Sequence, residues 1–210
     1  MSKPQKKIKT LWFDLGNVVL FFDFGPAYRK LRRHTGLRAE TIRRYFHARP
    51  RLEASLDEGR VNARSLYRRL RKDLGLLDLS FGRFKEVWND IFWENRAVIR
   101  LLGRLKRRGY RLILISNTNR LHYDHIRRRY PVLKLFHRQV LSFRVGARKP
   151  ERRIYRLALK HSRARPDEIF YTDDREELTT VAFSNHGVHT HTFRSAPSLI
   201  RALRKLGVKA

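Results

Sequence analysis

After residue 96, short apolar runs alternate with segments of helical periodicity, and this alternation constrains the fold more than any other feature. The runs Tyr110 to Ser116 (YRLILIS) and Glu168 to Thr172 (EIFYT) have the length and the residue types of buried strands. Shorter runs at Gln139 to Phe143 and His189 to Phe193 continue the series. Strands that alternate with helices form βαβ units, so the pattern predicts a parallel sheet covered by helices.

The part of the chain between residues 23 and 95 has a different pattern. Apolar residues recur there at helical spacing, and glycine and proline residues divide the segment into three or four predicted helices without a convincing strand. Ile8 to Phe22, before this segment, is a predicted buried strand that runs into a loop. The sequence therefore predicts an α/β protein with a Rossmann-like parallel sheet core, helices on both faces and an inserted α-helical segment. The predicted domains are residues 1–22 and 96–210 for the core and residues 23–95 for the helical insert.

The charge balance is strongly basic. Lys and Arg number 49 against 19 Asp and Glu, which gives a formal net charge of +30. Residues 96–210 contain 28 basic and 8 acidic residues, so the excess lies mainly on the predicted core and not on a detachable tail. Such a charge favours nucleic acid, an anionic membrane or phosphorylated substrates as partners. No nucleic-acid-binding motif accompanies it, so a nucleic-acid partner stays open without support from a motif.

The sequence lacks cysteine and lacks a long apolar run, and each absence excludes some kinds of site or location for the protein. The chain has no Cys, which excludes disulfide frameworks, Cys-based zinc sites and thiol catalysis. No apolar run approaches the roughly 20 residues that span a bilayer, and the basic N-terminal segment lacks the cleavage site of a signal peptide. We therefore expect a cytoplasmic protein without a membrane partner, either a monomer or a homodimer.

Polar residues of complementary chemistry stand at the ends of the predicted strands. They are Asp14 after the first strand, Ser116 and Asn117 after the second, Lys149 before a helix, and Asp173 and Asp174 after a later strand. Taken singly, each has an ordinary structural role, since Asp residues form turns and Ser or Asn residues begin helices. Ligands, however, bind at the carboxyl ends of parallel strands. Because carboxylates suit a hard cation and Lys suits phosphate, the set predicts a magnesium and phosphate site, with close backbone approach at the Gly16 turn.

Four segments carry a resemblance to a known family. They are LWFDLGNVVLFFDF (11–24), YRLILISNTNRLH (110–122), VGARKPERRIYRLAL (145–159) and IFYTDDREE (169–177). In this order they resemble the motifs of the haloacid dehalogenase superfamily of hydrolases, in the group with a helical cap inserted after the first motif. The strings DLGNVV, SNTNRLH and RKPERRIY are most similar to bacterial sugar-phosphate phosphatases of that group, including α-D-glucose-1-phosphate phosphatase.

The resemblance implies a role for each residue of the reaction. Asp14 is the implied nucleophile, which attacks a phosphoryl group and forms an aspartyl-phosphate. Ser116 and the backbone near Asn117 bind the phosphoryl oxygens, and Lys149 balances the charge between the nucleophile and the phosphate. The expected catalytic residues are thus Asp14, Ser116 and Lys149, and the expected substrate-binding residues are Ser116, Asn117 and Lys149.

The same resemblance implies Mg²⁺ as the cofactor. Its expected ligands are Asp14, the backbone carbonyl of Gly16, and Asp174 with Asp173 beside it. The implied partner is a small phosphorylated substrate, with a sugar phosphate as the first choice, and the cap is expected to close over it. The cap positions near which specificity is expected are Tyr28, Phe46, Arg49 and Trp88.

One departure from the family pattern concerns the general acid. The common first motif is Asp-x-Asp, whose second Asp protonates the leaving oxygen, but Gly16 stands at that position in this chain. One explanation is another acid, with Asp23 as the candidate, although Asp23 also suits the start of a helix. A second is a leaving group that needs no proton, as in 2-haloacid dehalogenases. A third is a catalytically weak basic domain that binds nucleic acid or another polyanion.

Overall fold

The computed structural model describes residues 7–76 and 78–210. Its strands, in chain order, are β1 (Thr10–Phe13), β2 (Leu20–Phe22), β3 (Phe92–Glu94), β4 (Arg111–Ser116), β5 (Arg138–Leu141), β6 (Ile169–Asp173) and β7 (His189–Thr192). Its α-helices are α1 (Gly25–Thr35), α2 (Ala39–His47), α3 (Pro50–Asp57), α4 (Ala63–Leu74), α5 (Phe81–Asn89), α6 (Arg96–Arg107), α7 (Arg120–Arg129), α8 (Ser142–Val145), α9 (Arg152–Ser162), α10 (Glu176–His186) and α11 (Ala196–Lys205). Within these described residues, no helix combines the length and the apolar character needed to cross a membrane.

Five strands form one parallel sheet in the order β5-β4-β1-β6-β7. The central strand β1 places Leu11 beside Leu112 of β4 and Phe170 of β6. Because all five strands run in the same direction, their carboxyl ends lie along one edge of the sheet. The predicted α/β fold with a parallel sheet is therefore confirmed.

Both faces of the sheet are covered, since successive strand residues point to opposite faces. Leu11 and Phe13 of β1 pack in one cluster with residues of α6 and α11, whereas Trp12 packs with residues of α9 and α10. All three side chains are fully buried, which explains why β1 has a continuous apolar sequence. The Trp12 indole N–H donates to the Ser162 hydroxyl at 2.8 Å, so this buried polar atom has a partner.

Helices α1 to α5 lie between β2 and β3 in the chain, and their buried residues form a second hydrophobic cluster that also includes Leu121 of α7. Fully buried members of this cluster include Leu31, Ile42, Leu66 and Phe84. Their spacing along each helix produces the apolar stripe that the sequence pattern shows. The chain therefore contains an inserted helical region, while the assignment of residues 23–95 to a separate domain stays a prediction.

The structure corrects two local predictions. The sequence pattern indicates three or four helices and no strand in the insert. Among the described residues of the insert there are five α-helices, and β3 pairs antiparallel with β2, with Trp93 opposite Phe21. A strand of three residues is too short to show a period, and its partner lies at the other end of the insert. The predicted strand from Gln139 to Phe143 ends at Leu141, because Ser142 begins the short helix α8.

Candidate active site

The carboxyl ends of β1, β4 and β6 bring three of the predicted site residues to one place. Asp14 directly follows β1, Ser116 ends β4 and Asp173 ends β6. The Asp14 backbone N–H donates to the Thr172 carbonyl at 3.0 Å, which continues the pairing of β1 with β6 up to the site. The three residues are buried, so the parallel sheet fixes their backbone positions.

Lys149 lies between two of these carboxylates. Its Nζ atom is 2.5 Å from Oδ1 of Asp14 and 2.6 Å from Oδ2 of Asp173, and only 4% of the residue is exposed. Asn117 holds the backbone of Lys149 with two hydrogen bonds. The Asn117 Nδ2 donates to the Lys149 carbonyl at 3.0 Å, and the Lys149 N–H donates to Oδ1 of Asn117 at 2.7 Å. The Asn117 side chain therefore positions the lysine between the carboxylates.

Asp14, Asp173 and Asp174 form a cluster of carboxylates. One oxygen of each lies within 4.8 Å of the other two. Asp173 also accepts a hydrogen bond from the Tyr171 hydroxyl, and Asp174 accepts one from Nδ2 of Asn17 at 3.1 Å. Because the cluster contains three carboxylates and Lys149 supplies one ammonium, the ionised cluster carries excess negative charge. Oxygen ligands at this spacing fit a hard divalent cation such as Mg²⁺.

Burial and crowding set the protonation of this cluster. Burial raises the pKa of Asp14 to about 7; the Lys149 ammonium opposes the rise, and the Asp173 carboxylate adds to it. Burial would also raise the pKa of Asp173, but the Lys149 ammonium, together with hydrogen bonds from Tyr171 and the Arg175 backbone, outweighs burial and lowers it. Burial opposes the positive charge of Lys149, yet the two carboxylates outweigh it and raise the lysine pKa. A further cation would therefore help to keep Asp14 ionised.

Ser116 adds a hydroxyl to the same edge. Its Oγ atom is 3.4 Å from the Asn117 carbonyl, a long contact that leaves the hydroxyl able to turn toward a ligand. The next residue in the loop, Thr118, is held by Ser142. The Ser142 hydroxyl accepts from the Thr118 N–H and donates to the Thr118 carbonyl, both at 2.9 Å. The loop that directly follows Ser116 is thus held in a fixed position.

A cavity of about 460 Å³ is lined by both this edge and the insert. The core contributes Leu15, Gly16 and residues 116–119. Aromatic side chains form much of the remaining wall, namely Phe22, Phe24, Tyr28, Phe46, Trp88 and Phe92. Two carboxylates of α3, Glu53 and Asp57, also line the cavity. A space of this size can take the non-reacting part of a small substrate.

Two residues that the sequence singles out lie elsewhere. Asp23 is exposed and accepts a hydrogen bond from the Gly25 N–H at 2.8 Å, as a residue at a helix start does. The structure does not bring Asp23 to the carboxylate cluster. Arg49 stacks its guanidinium over the Tyr45 ring, 4.0 Å from the ring centre, and is not part of the cavity wall. The other expected specificity positions do line the cavity: Tyr28, Phe46 and Trp88.

The position of the missing second Asp is sterically occupied. A Cβ atom on Gly16 would lie 2.8 Å from Cε1 of Phe22, which is closer than van der Waals contact. Phe22 belongs to β2 and lines the cavity. A carboxylate side chain at position 16 would therefore force the Phe22 ring to move.

Sequence reasoning missed Asp57, which is only 6% exposed and lines the cavity. Burial raises the pKa of Asp57 to about 7, while the Arg148 guanidinium opposes the rise. In the sequence, Asp57 stands beside Glu58 and before Gly59, a pattern typical of an exposed helix end. The packing of α3 against α8, which buries this helix end, has no local signal in the sequence.

Comparison with known protein sequences identifies one family. The model of the haloacid dehalogenase-like hydrolases matches residues 8–187. A D-ribitol-5-phosphate phosphatase from Bacteroides thetaiotaomicron is 27% identical over 178 residues, which cover 80% of this chain and 83% of the relative. Because that name specifies D-ribitol 5-phosphate, the relative supports the superfamily but not the narrower resemblance to glucose-1-phosphate phosphatase.

Solved structures have the same fold. A HAD family enzyme from Bacteroides thetaiotaomicron, in complex with magnesium and inorganic phosphate, has a TM-score of 0.78 at 24% identity over 90% of this chain and 95% of that chain. A HAD-like family hydrolase from Porphyromonas gingivalis has a TM-score of 0.77 at 23% identity over 95% and 99% of the two chains. The family model matches most of the sequence, and the chain therefore belongs to the haloacid dehalogenase-like hydrolase family.

Proposed function

We propose that this hydrolase is a Mg²⁺-dependent phosphatase of small phosphorylated metabolites, with polyol and sugar phosphates as the first candidates. The observation that carries the proposal is the Lys149 ammonium between the carboxylates of Asp14 and Asp173, beside the cavity. The name of the Bacteroides relative supports a polyol phosphate as substrate. The net charge of +30 also favours an anionic substrate.

In the proposed reaction, a carboxylate oxygen of Asp14 attacks the phosphorus atom while the bond between phosphorus and the ester oxygen breaks. The ester oxygen takes a proton and leaves as an alcohol. A water molecule then attacks the phosphorus of the aspartyl-phosphate, the bond to Asp14 breaks, and inorganic phosphate leaves. Ser116 and the backbone near Asn117 bind the phosphoryl oxygens, and Lys149 neutralises part of their charge.

The residues that would hold Mg²⁺ are Asp14, Asp173 and Asp174, together with the backbone carbonyl of Gly16. The ion, when bound, supplies positive charge that shields the phosphate from the carboxylates. The oxygen-only donor set supports this assignment, as does the burial that raises the pKa of Asp14. We further propose that residues 23–95 act as a cap that closes over the cavity and excludes water.

The purified protein is expected to release phosphate from D-ribitol 5-phosphate, from sugar phosphates or from p-nitrophenyl phosphate in the presence of Mg²⁺. In EDTA the release is expected to fall to the background rate and to return with excess Mg²⁺, because the carboxylate cluster then lacks its cation. A colorimetric phosphate assay across this panel measures both effects. No release from any ester by folded protein would contradict the proposal. Chelator-insensitive chloride release from a 2-chloro acid would instead favour the dehalogenase alternative.

A cluster of cations at the opposite, amino edge of the sheet supports a second, separate activity. Arg111 and Arg138 begin β4 and β5, and Lys160 and Arg163 lie at the C-terminal end of α9. Burial lowers the pKa of Arg111, and the neighbouring Arg163 and Arg138 lower it further, so these cations repel one another. Burial, followed by Arg138, Lys160 and Arg111, lowers the pKa of His161 in the same place. We propose that these four cations, the basic edge, bind the phosphate backbone of a nucleic-acid duplex.

Charge reversal tests whether binding to the duplex depends on the basic edge or only on the overall positive charge. The triple variant Arg138→Glu, Lys160→Glu and Arg163→Glu is expected to bind a labelled DNA duplex at least about 10-fold more weakly than the wild type in fluorescence anisotropy at low salt. A matched control makes the same change at three exposed cations of the insert, Arg32, Arg33 and Arg68. Equal loss in both triple variants would contradict a localised site. Binding to anionic vesicles but not to the duplex would replace nucleic acid with a membrane surface.

A further inference from the structure

We propose that Asp57, on α3 of the insert, donates the proton to the leaving oxygen, as the acid that Gly16 cannot supply. This inference rests on the proposed phosphatase function. Asp57 lines the same cavity as Gly16 and Ser116, and it is buried, whereas Asp23 is exposed and serves the start of α1. The cap thus contributes a catalytic residue in addition to the wall that contacts the substrate.

The backbone next to Asp57 is held tightly against the core. Gly59 has a φ of +74°, and a Cβ atom there would lie 2.7 Å from the carbonyl oxygen of Phe143 in α8. The turn after α3 therefore accepts only glycine without strain. Close contact between this turn and α8 fixes the position of Asp57 relative to the core loops that bear Ser116 and Lys149.

The polar and charged groups around Asp57 come from three parts of the chain. The NH2 group of Arg148, in the loop that also bears Lys149, is 3.4 Å from Oδ2 of Asp57. Asn119, directly before α7, makes a side-chain hydrogen bond to Asp57, and Glu53 of α3 and the adjacent Glu58 add negative charge. His47 and His122 also line the cavity.

These surroundings leave Asp57 close to half-protonated at neutral pH. Burial is the largest effect and raises its pKa to about 7, because Arg148 and Asn119 only partly offset burial and the glutamates act in the same direction. His122 carries no positive charge at this pH, since burial lowers its pKa to about 3. A carboxylic acid with a pKa near the working pH is well matched to proton donation.

In the proposed reaction, Asp57 donates one proton in the first step and takes one back in the second. In the first step its O–H bond breaks as the ester oxygen leaves phosphorus, so an alcohol departs and Asp57 becomes a carboxylate. Arg148 can stabilise that carboxylate as an ion pair. In the second step the carboxylate takes a proton from the water that attacks the aspartyl-phosphate, and Asp57 returns to its acid form.

The test compares two leaving groups, because only a poor one needs the proton. Asp57→Asn is expected to lower kcat/KM about 100-fold for an alkyl ester such as D-ribitol 5-phosphate or glycerol phosphate. For p-nitrophenyl phosphate, whose leaving group is a stable phenolate, the expected change in kcat/KM is only a few-fold. The ratio kcat/KM reports the steps up to departure of the leaving group, so the later role of Asp57 as a base does not enter it. The control is Glu86→Gln, which removes an exposed carboxylate of α5 that does not line the cavity, and it is expected to leave the ratio of the two rates unchanged.

The pH profile of the wild type gives a second test that needs no variant. With the alkyl ester, kcat/KM is expected to fall as the pH rises through about 7, because Asp57 loses the proton that it must donate in the first step. With p-nitrophenyl phosphate this fall is expected to be absent. Arg148→Gln is expected to move the fall to higher pH, since the guanidinium that favours the charged form of Asp57 is gone.

Two outcomes would overturn the role of Asp57. One is an equal loss of kcat/KM on both esters in Asp57→Asn, which a purely structural residue would produce. The other is an alkaline fall of the same size and position for both esters in the wild type. If the wild type hydrolyses neither ester, the proposed phosphatase function itself fails, and that result is separate from any effect of Asp57.

Discussion

Asp14→Asn is expected to reduce Mg²⁺-dependent phosphate release by at least about 10⁴-fold, to the background rate. An amide oxygen cannot attack phosphorus and form the covalent intermediate, so both steps of the proposed reaction stop. The fold is expected to survive, because the Asn side chain has the same shape and its oxygen can still accept a hydrogen bond from Lys149, as Asp14 does. Phosphate release and thermal unfolding, measured on the same preparation, check the two expectations.

The change at Asp14 has a natural control at Asp23. Asp23→Asn keeps an oxygen that can accept the hydrogen bond from Gly25 N–H at the start of α1. We expect it to retain phosphate release within a few-fold of the wild type. Substantial release by Asp14→Asn, with the unfolding temperature unchanged, would remove Asp14 from the reaction.

Lys149→Met is expected to lower both the rate of phosphate release and the free energy of unfolding. The substitution leaves the buried carboxylates of Asp14 and Asp173 without the ammonium that now lies 2.5 and 2.6 Å from them. Removal of one partner of a buried ion pair typically lowers the free energy of unfolding by about 3–5 kcal/mol. Urea unfolding in EDTA measures this loss, and added Mg²⁺ is expected to restore part of it by binding the folded state.

A second lysine provides the control for this variant. Lys160 is exposed at the C-terminal end of α9, and Lys160→Met is expected to change the free energy of unfolding by about 0.5 kcal/mol or less. It is also expected to leave phosphate release unchanged. If the two variants were equally stable in EDTA, Lys149 would not balance the carboxylate cluster.

The sequence predicts the polar residues at the carboxyl edge of the sheet well, because the strands that carry them are easy to recognise. Buried parallel strands have continuous apolar sequences, so β1, β4 and β6 stand out, and the first polar residues after them lie at one edge. Asp14, Ser116 and Asp173 therefore meet in the structure as their positions at strand ends suggest. Lys149 joins them because Asn117, in the loop after β4, holds the backbone of Lys149, in the loop between α8 and α9.

The cavity wall is less predictable because it depends on contacts between distant segments. Nothing near Asp57 in the sequence indicates that Arg148 and the turn before α9 will bury it. The pairing of β2 with β3 likewise joins the two ends of the insert. Asp23 carries a carboxyl group and lies near the first motif, so the sequence suggests it as a general acid. In the structure its side chain instead accepts a hydrogen bond from the Gly25 N–H at the start of α1. Local chemistry thus identifies candidates, and tertiary packing decides which of them reach the cavity.

The most direct test of the central claim is a search for the covalent intermediate. Wild-type protein is mixed with saturating p-nitrophenyl phosphate and Mg²⁺, quenched in acid within milliseconds, digested and analysed by peptide mass spectrometry. We predict a phosphoryl group on Asp14, absent in Asp14→Asn and in EDTA. Full-rate phosphate release with no phosphoryl group on Asp14 at any time, or with the group on another residue, would contradict the account.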